Sequence, residues 1–158
     1  MLGTDFGIFQ VADEFRPNPI AARKRKTGSK RPAITKPTIL VVDDEQMVAD
    51  TTVEILNKSG FRAVCAYDGQ TALQIAAKLR PEYLLADVLM PSMNGVELAI
   101  AMRKTLPETT ILLFSGQVGI SEIVHQGEKE GYIFDIVAKP VHPEKLIARL
   151  KQMRTSTK

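Results

Sequence analysis

The stretch Tyr83–Gly95, YLLADVLMPSMNG, decides the fold. Tyr83, Leu84, Leu85 and Ala86 run without alternation into one carboxylate, Asp87, and the chain then breaks into a loop carrying Pro91, Asn94 and Gly95. A parallel strand covered on both faces reads as such a continuous apolar run, whereas a strand with one face in water alternates. Asp87 therefore marks the carboxyl end of a buried strand, the edge at which open α/β sheets bind ligands and do chemistry.

The same reading extends in both directions. Upstream, TILVV (38–42) is a β-branched strand followed directly by Asp43, Asp44 and Glu45. Gln46 to Ser59 then spaces Val48, Thr52, Ile55 and Leu56 along one helical face and stops at Gly60, a residue suited to a helix C-terminus. FRAVCA (61–66) is a second strand, and Gly69 to Leu79 a helix with Ala72, Ile75, Ala76 and Leu79 inward. Downstream of Gly95 come a helix with Leu98, Ala99 and Met102 inward, the strand TTILLF ending at Ser115, and a less regular helix from about Val118 to Lys129. The strand FDIVA (134–138) then ends at Lys139 and Pro140. A last helix opens at Pro143, a favoured first-turn residue, and turns Leu146, Ile147, Leu150 and Met153 inward.

Five strands alternating with five helices predict an α/β fold. It is a doubly wound, five-stranded parallel sheet in the flavodoxin-like order 2-1-3-4-5. In that order the first strand neighbours the third, so Asp43 and Asp44 lie beside Asp87 at the topological switch point. Three carboxylates so close repel one another, and a cation is implied. An all-oxygen site with few carboxylates suits Mg2+, which also offsets charge on a phosphoryl group approaching Asp87. Ser115 and Lys139, at the ends of the fourth and fifth strands, would close the ring. Each residue alone is ordinary cap or turn chemistry; their convergence on one sheet edge is not.

Composition bounds the alternatives. The chain has 158 residues, 44% hydrophobic and 25% charged, and no apolar window long enough to span a bilayer or act as a secretory signal core. A cytoplasmic location is expected. Cys65 is the only cysteine, so no intrachain disulfide is possible; it reads as a small buried hydrophobe. Through Lys36 there are eight Lys or Arg against three Asp or Glu, and beyond it 13 against 15, so the net charge of +3 resides in the N-terminal segment. Residues 1–37 show no sustained periodicity and read as a mostly disordered basic extension, followed by a domain over 38–154 and a short tail over 155–158. The run Arg23–Lys26 is read as a solvated linker, so nucleic acid is not counted among the expected partners. His125 and His142 have no second ligand at metal spacing, and Met90, Met93 and Met102 read as packing.

The segments ILVVDDE, LLADVLMPSMNG, LLFSG and VAKPV, in this order, resemble the receiver domain of two-component response regulators over about Thr38 to Met153. The resemblance implies that Asp87 accepts a phosphoryl group from a sensor histidine kinase or phosphotransfer protein. Asp44, Asp87 and the Leu89 carbonyl would ligate Mg2+, with Asp43 acting largely through a water. Ser115 and Lys139 would contact the phosphoryl oxygens, and the Lys139–Pro140 peptide would be cis. The output is expected to be a conformational change at the surface of the fourth strand, fourth helix and fifth strand. It would be read by an unidentified downstream protein; a homodimer is also possible, since receivers often dimerise through the face from the fourth to the fifth helix. The chain stops soon after its last helix, so a stand-alone regulator is expected.

The sequence also departs from the family. The aromatic usual three residues before the strand-end lysine is replaced by Ile136; Phe134, on the same strand face, is the candidate substitute. The positions that tune hydrolysis are Leu89 and Gln117, and a leucine cannot orient an attacking water. Three other functions compete. A phosphorylation-independent adaptor is favoured by Ile136 and opposed by the complete Asp, Ser and Lys set. A hydrolase of haloacid dehalogenase type expects a second Asp where this chain has Leu89. A regulator whose basic tail contacts nucleic acid would bind with steep salt dependence.

Overall fold

The computed structural model describes residues 35–116 and 120–155. Gln117, the residues before Thr35 and those after Thr155 lie outside them, so the expectations for the basic extension, for Arg23–Lys26 and for Gln117 fall outside too. The elements are β1 (Thr38–Val42), α1 (Gln46–Lys58), β2 (Arg62–Ala66), α2 (Gly69–Leu79), β3 (Tyr83–Asp87), α3 (Gly95–Thr105), β4 (Thr110–Ser115), α4 (Ile120–Lys129), β5 (Asp135–Ala138) and α5 (Pro143–Thr155). All strand pairs are parallel, in the order β2-β1-β3-β4-β5.

Strand alternation splits the buried residues into two cores. Ile39, Val41, Leu85, Leu112 and Phe114 face one side, where Leu56 of α1 and Leu146 and Leu150 of α5 cover them. Leu40, Val42, Leu84, Ala86 and Leu113 face the other, against Ala72 and Ala76 of α2 and Leu98, Ala99 and Met102 of α3. Every residue of β3 is buried, as its uninterrupted apolar run requires. Covering both faces brings five strand ends to one edge and leaves that edge open to ligands.

Helix ends follow local chemistry. The Asp68 carboxylate accepts the Thr71 amide at the start of α2. Asn94 and Glu97 form a reciprocal capping box at α3, and Gly60 takes φ +93° just past α1. The carbonyl of His142 accepts the Leu146 amide as α5 begins, in keeping with its reading as turn or cap chemistry. The Lys139–Pro140 peptide is cis.

Three expectations need correction. The core face of α1 is Ala49 and Leu56, with Val53 packed beside them, whereas Val48 is exposed. Both stripes have the i, i+4, i+7 spacing, and they lie one residue apart; only packing against the sheet selects between them. Val48, Thr52 and Ile55 instead line a cleft of about 520 Å3 facing Pro143 and Leu146 of α5. Cys65 is half-buried rather than enclosed, its Sγ 3.4 Å from the Asp50 carboxylate and 3.6 Å from the Tyr67 hydroxyl. Desolvation pushes its thiol pKa up, which keeps it in the unreactive form. Phe61, Thr109 and Phe134 lie just before their strands rather than in them; the Thr109 hydroxyl donates to the Pro81 carbonyl, which ties it outside the ladder.

Candidate functional site

Val42 and Ala86 are the last register partners of β1 and β3, so Asp43 and Asp87 leave the sheet side by side. They share the strand parity of Val41 and Leu85, on the α1 and α5 face. Asp43 is buried: its amide donates to the Ala66 carbonyl and its Oδ1 accepts the Glu45 amide. Asp87 is also buried, and Asp44 is exposed at the mouth.

Lys139 reaches across from the end of β5. Its Nζ donates to Asp43 Oδ2 at 2.7 Å and stands 3.4 Å from Asp87 Oδ2. Its backbone amide donates to the Ser115 carbonyl at 2.7 Å, which fixes the start of the side chain relative to β4. Ser115 is buried at the end of that strand.

Burial raises the pKa of Asp87 above the usual carboxylate range; the Lys139 charge opposes this and the Asp43 charge adds to it. For Lys139, burial alone would lower the pKa, but the hydrogen bond and charge of Asp43, then the charge of Asp87, outweigh it and hold the ammonium above the ordinary lysine value. The cluster is thus an excess of negative charge held together by one lysine. Carboxylate oxygens of Asp43, Asp44 and Asp87 lie within 4.8 Å of one another, a hard all-oxygen donor set that fits a Mg2+ ion.

The loop after Asp87 is built tightly beneath it. The Val88 amide donates to the Phe114 carbonyl, and the Gly95 amide donates to the Val88 carbonyl at 2.9 Å. Between them, Met93 donates to the Pro91 carbonyl across Ser92, whose φ of +67° makes a γ-turn of the rare positive-φ kind. A Cβ at Gly95 would overlap the Asp87 carbonyl oxygen and lie 2.9 Å from Val88 Cα. The closeness of this loop to the end of β3 is why glycine stands there.

Residues 39–151 match the family model of the response regulator receiver domain. The chain belongs to that family. The receiver is 35% identical to the response regulator MprA of Mycobacterium ulcerans over 120 residues, which cover 76% of this chain and 51% of that protein. The MprA protein of Mycobacterium avium matches equally, with 35% identity and 52% of its length covered. The chain therefore spans about half the length of these curated relatives. Among solved structures, chemotaxis protein CheY4 of Vibrio cholerae superimposes with a TM-score of 0.66 at 28% identity, covering 75% of this chain and 98% of that one. A two-component transcriptional regulator AraC from Clostridium phytofermentans does so with a TM-score of 0.60 at 34% identity, covering 74% and 90%. No helix among the described residues of the receiver is long and apolar enough to cross a membrane.

The two candidate switch positions sit deeper in the receiver. Ile136 and Phe134 pack on the same core and line a cavity of about 160 Å3 beneath α4, with Val96, Leu113 and Tyr132. Phe134 stacks on Tyr132, ring centroids 6.2 Å apart and planes 2° from parallel, and the Arg103 guanidinium lies 5.8 Å from its ring centroid. Leu89, two residues past Asp87, is 44% exposed. One site residue escaped the sequence reading: Phe114, whose ring lies under the Lys139 ammonium. Only the cross-strand register of β4 with β5 carries that signal.

Proposed function

We propose that this receiver accepts a phosphoryl group on Asp87 from a phosphohistidine of a sensor histidine kinase or phosphotransfer protein. The observation that carries the reading is the Lys139 ammonium, held 2.7 Å from buried Asp43 and 3.4 Å from Asp87 at the carboxyl edge of the sheet. A carboxylate oxygen of Asp87 attacks phosphorus as the phosphorus–nitrogen bond to the donor breaks, and the imidazole leaves with the bonding pair. Lys139 shifts from Asp87 toward the phosphoryl oxygens while keeping Asp43, and Ser115 offers its hydroxyl to another of them. Asp44, Asp87 and the Leu89 carbonyl would hold Mg2+ directly and Asp43 through a water; when bound, the ion neutralises charge on the transferring group.

The readout belongs to the surface of β4, α4 and β5. Ile136 is too small to act as a swinging aromatic, and the stacked Tyr132–Phe134 pair borders the cavity into which α4 can settle. That pair takes the switching role in this reading.

The test is phosphorylation by acetyl phosphate with Mg2+, followed by intact mass for the wild type and Asp87→Asn. A gain of about one phosphoryl mass, stable in acid and labile in base, is expected in the wild type alone. No gain in the wild type, with Mg2+ binding also absent, would make it a phosphorylation-independent adaptor. The same variant reports on electrostatics. The pKa of Asp87 is raised in the folded state, so its charge costs stability above that raised value and costs nothing below the unfolded one. Asp87→Asn is therefore expected to raise the metal-free Tm by a few degrees at pH 7, an advantage that fades as the pH falls into the carboxylate range. Lys139 keeps Asp43 as a partner in that variant.

Leu89 sets a second expectation. It is exposed beside the acceptor and has no group to align water, so the aspartyl phosphate should be long-lived. Leu89→Asn is expected to shorten its lifetime about tenfold. Decay unchanged in that variant and in Gln117→Ala would place the control of hydrolysis elsewhere.

A further inference from the structure

We propose that Phe114 is a positioning residue for Lys139, holding its ammonium across the sheet edge within reach of the acceptor. The inference rests on the reading of Asp87 as acceptor. Lys139 leaves β5, yet its partners stand at the ends of β3 and β1, with β4 between. At the usual spacing of neighbouring strands, roughly 10 Å separates β5 from β3 and roughly 14 Å separates it from β1. The side chain must lie extended over the end of β4, and an extended lysine gives up the rotamer freedom it would have in water.

Phe114 is what lies beneath it. Val137 is the register partner of Phe114, and both pack in the α1 and α5 core. Lys139, two residues past Val137, leaves the strand on that same face. Its Nζ stands 6.0 Å from the centroid of the Phe114 ring, within the reach of cation–π attraction. Phe114 is only 7% exposed, so its ring is fixed by the core, and the Lys139 side chain is 24% exposed, so water competes weakly. Both line the same cleft. Without the ring, the lysine could fold into the cleft and away from the carboxylates.

A double-mutant cycle separates this role from simple packing. Phosphorylation by acetyl phosphate and Mg2+ is measured in Phe114→Leu, Lys139→Ala and the double variant. The expected result is a slowing of about fivefold from Phe114→Leu when Lys139 is present and less than about twofold when it is absent. Equal slowing in both backgrounds, or none in either, overturns the proposal. Pentafluorophenylalanine at 114 keeps the shape but reverses the ring electrostatics, and is expected to slow the reaction as leucine does; wild-type speed overturns it. The contact itself is read without phosphorylation. The Lys139 ε-methylene protons should resonate upfield in the wild type and return to ordinary lysine values in Phe114→Leu, and shifts identical in the two proteins overturn the proposal. Were the wild type to take no phosphoryl group while those shifts differed, the acceptor reading would fail and the contact would stand.

Discussion

Replacing Gly95 with alanine is expected to destabilise the receiver by about 3 kcal/mol and to slow phosphoryl uptake on Asp87 about a hundredfold. Alanine inside a helix ordinarily gains up to about 1 kcal/mol over glycine. At the first residue of α3 that gain is lost, because the new methyl would overlap the Asp87 carbonyl oxygen and press on the backbone of Val88. These are main-chain atoms of a buried strand and its exit, and no side-chain rotation relieves them. The structure can respond only by lifting the 91–95 loop or by displacing the end of β3. The first breaks the Gly95 to Val88 hydrogen bond, and the second moves Asp87 relative to Lys139 and Asp43. A urea unfolding midpoint and an acetyl phosphate time course check the two effects. Loss of stability at normal phosphorylation speed would mean that the loop yields and Asp87 does not.

Lys139→Met is expected to cost about 2 kcal/mol in the absence of divalent metal. Methionine preserves length and apolar contact, so the loss is electrostatic. Asp43 is buried, and the ammonium is its only cationic partner among the described residues. Removing one member of a fully buried pair costs about 3–5 kcal/mol, and the partial exposure of Lys139 reduces that figure. The sign with pH follows from linkage. With the lysine gone, nothing offsets the burial that raises the folded-state pKa of Asp87, so this part of the penalty is full at neutral pH and vanishes as the pH falls below the unfolded carboxylate range. The raised pKa of Lys139 itself means that the wild type keeps this contribution below the ordinary lysine value of 10.5 and loses it only as alkali titrates the ammonium. Thermal unfolding from pH 4 to pH 8 checks the trend. Millimolar Mg2+ should recover most of the lost stability, because the ion replaces the missing positive charge. A pH-independent loss that Mg2+ leaves untouched would show that Lys139 matters through packing.

Both outcomes concern residues visible in the sequence for reasons that remain local. Short uninterrupted apolar runs such as Tyr83–Ala86, bounded by turn residues, read as strands covered on both faces, and the polar residue closing each run then sits at the carboxyl edge. Asp43, Asp87, Ser115 and Lys139 were legible for that reason, as was the strand order that places β1 beside β3. The start of α3 was legible too, since Asn94 and Glu97 cap it by contacts three residues apart.

What could not be read depends on which element turns toward which. The two stripes of α1 are equally spaced, and only the sheet beneath decides that Ala49, Val53 and Leu56 are core while Val48, Thr52 and Ile55 line the cleft. Cys65 lies in an apolar run, yet β2 is an edge strand and leaves it half-open beside Asp50 and Tyr67. The placement of Phe114 under Lys139 and the closeness of Gly95 to Asp87 are contacts between chain segments distant in register or folded back by a turn. Spacing along a chain reports periodicity and strand ends, because these come from backbone geometry. Helix rotation, cross-strand pairing and the distance between two backbones come from how whole elements pack, and only the tertiary structure holds that information.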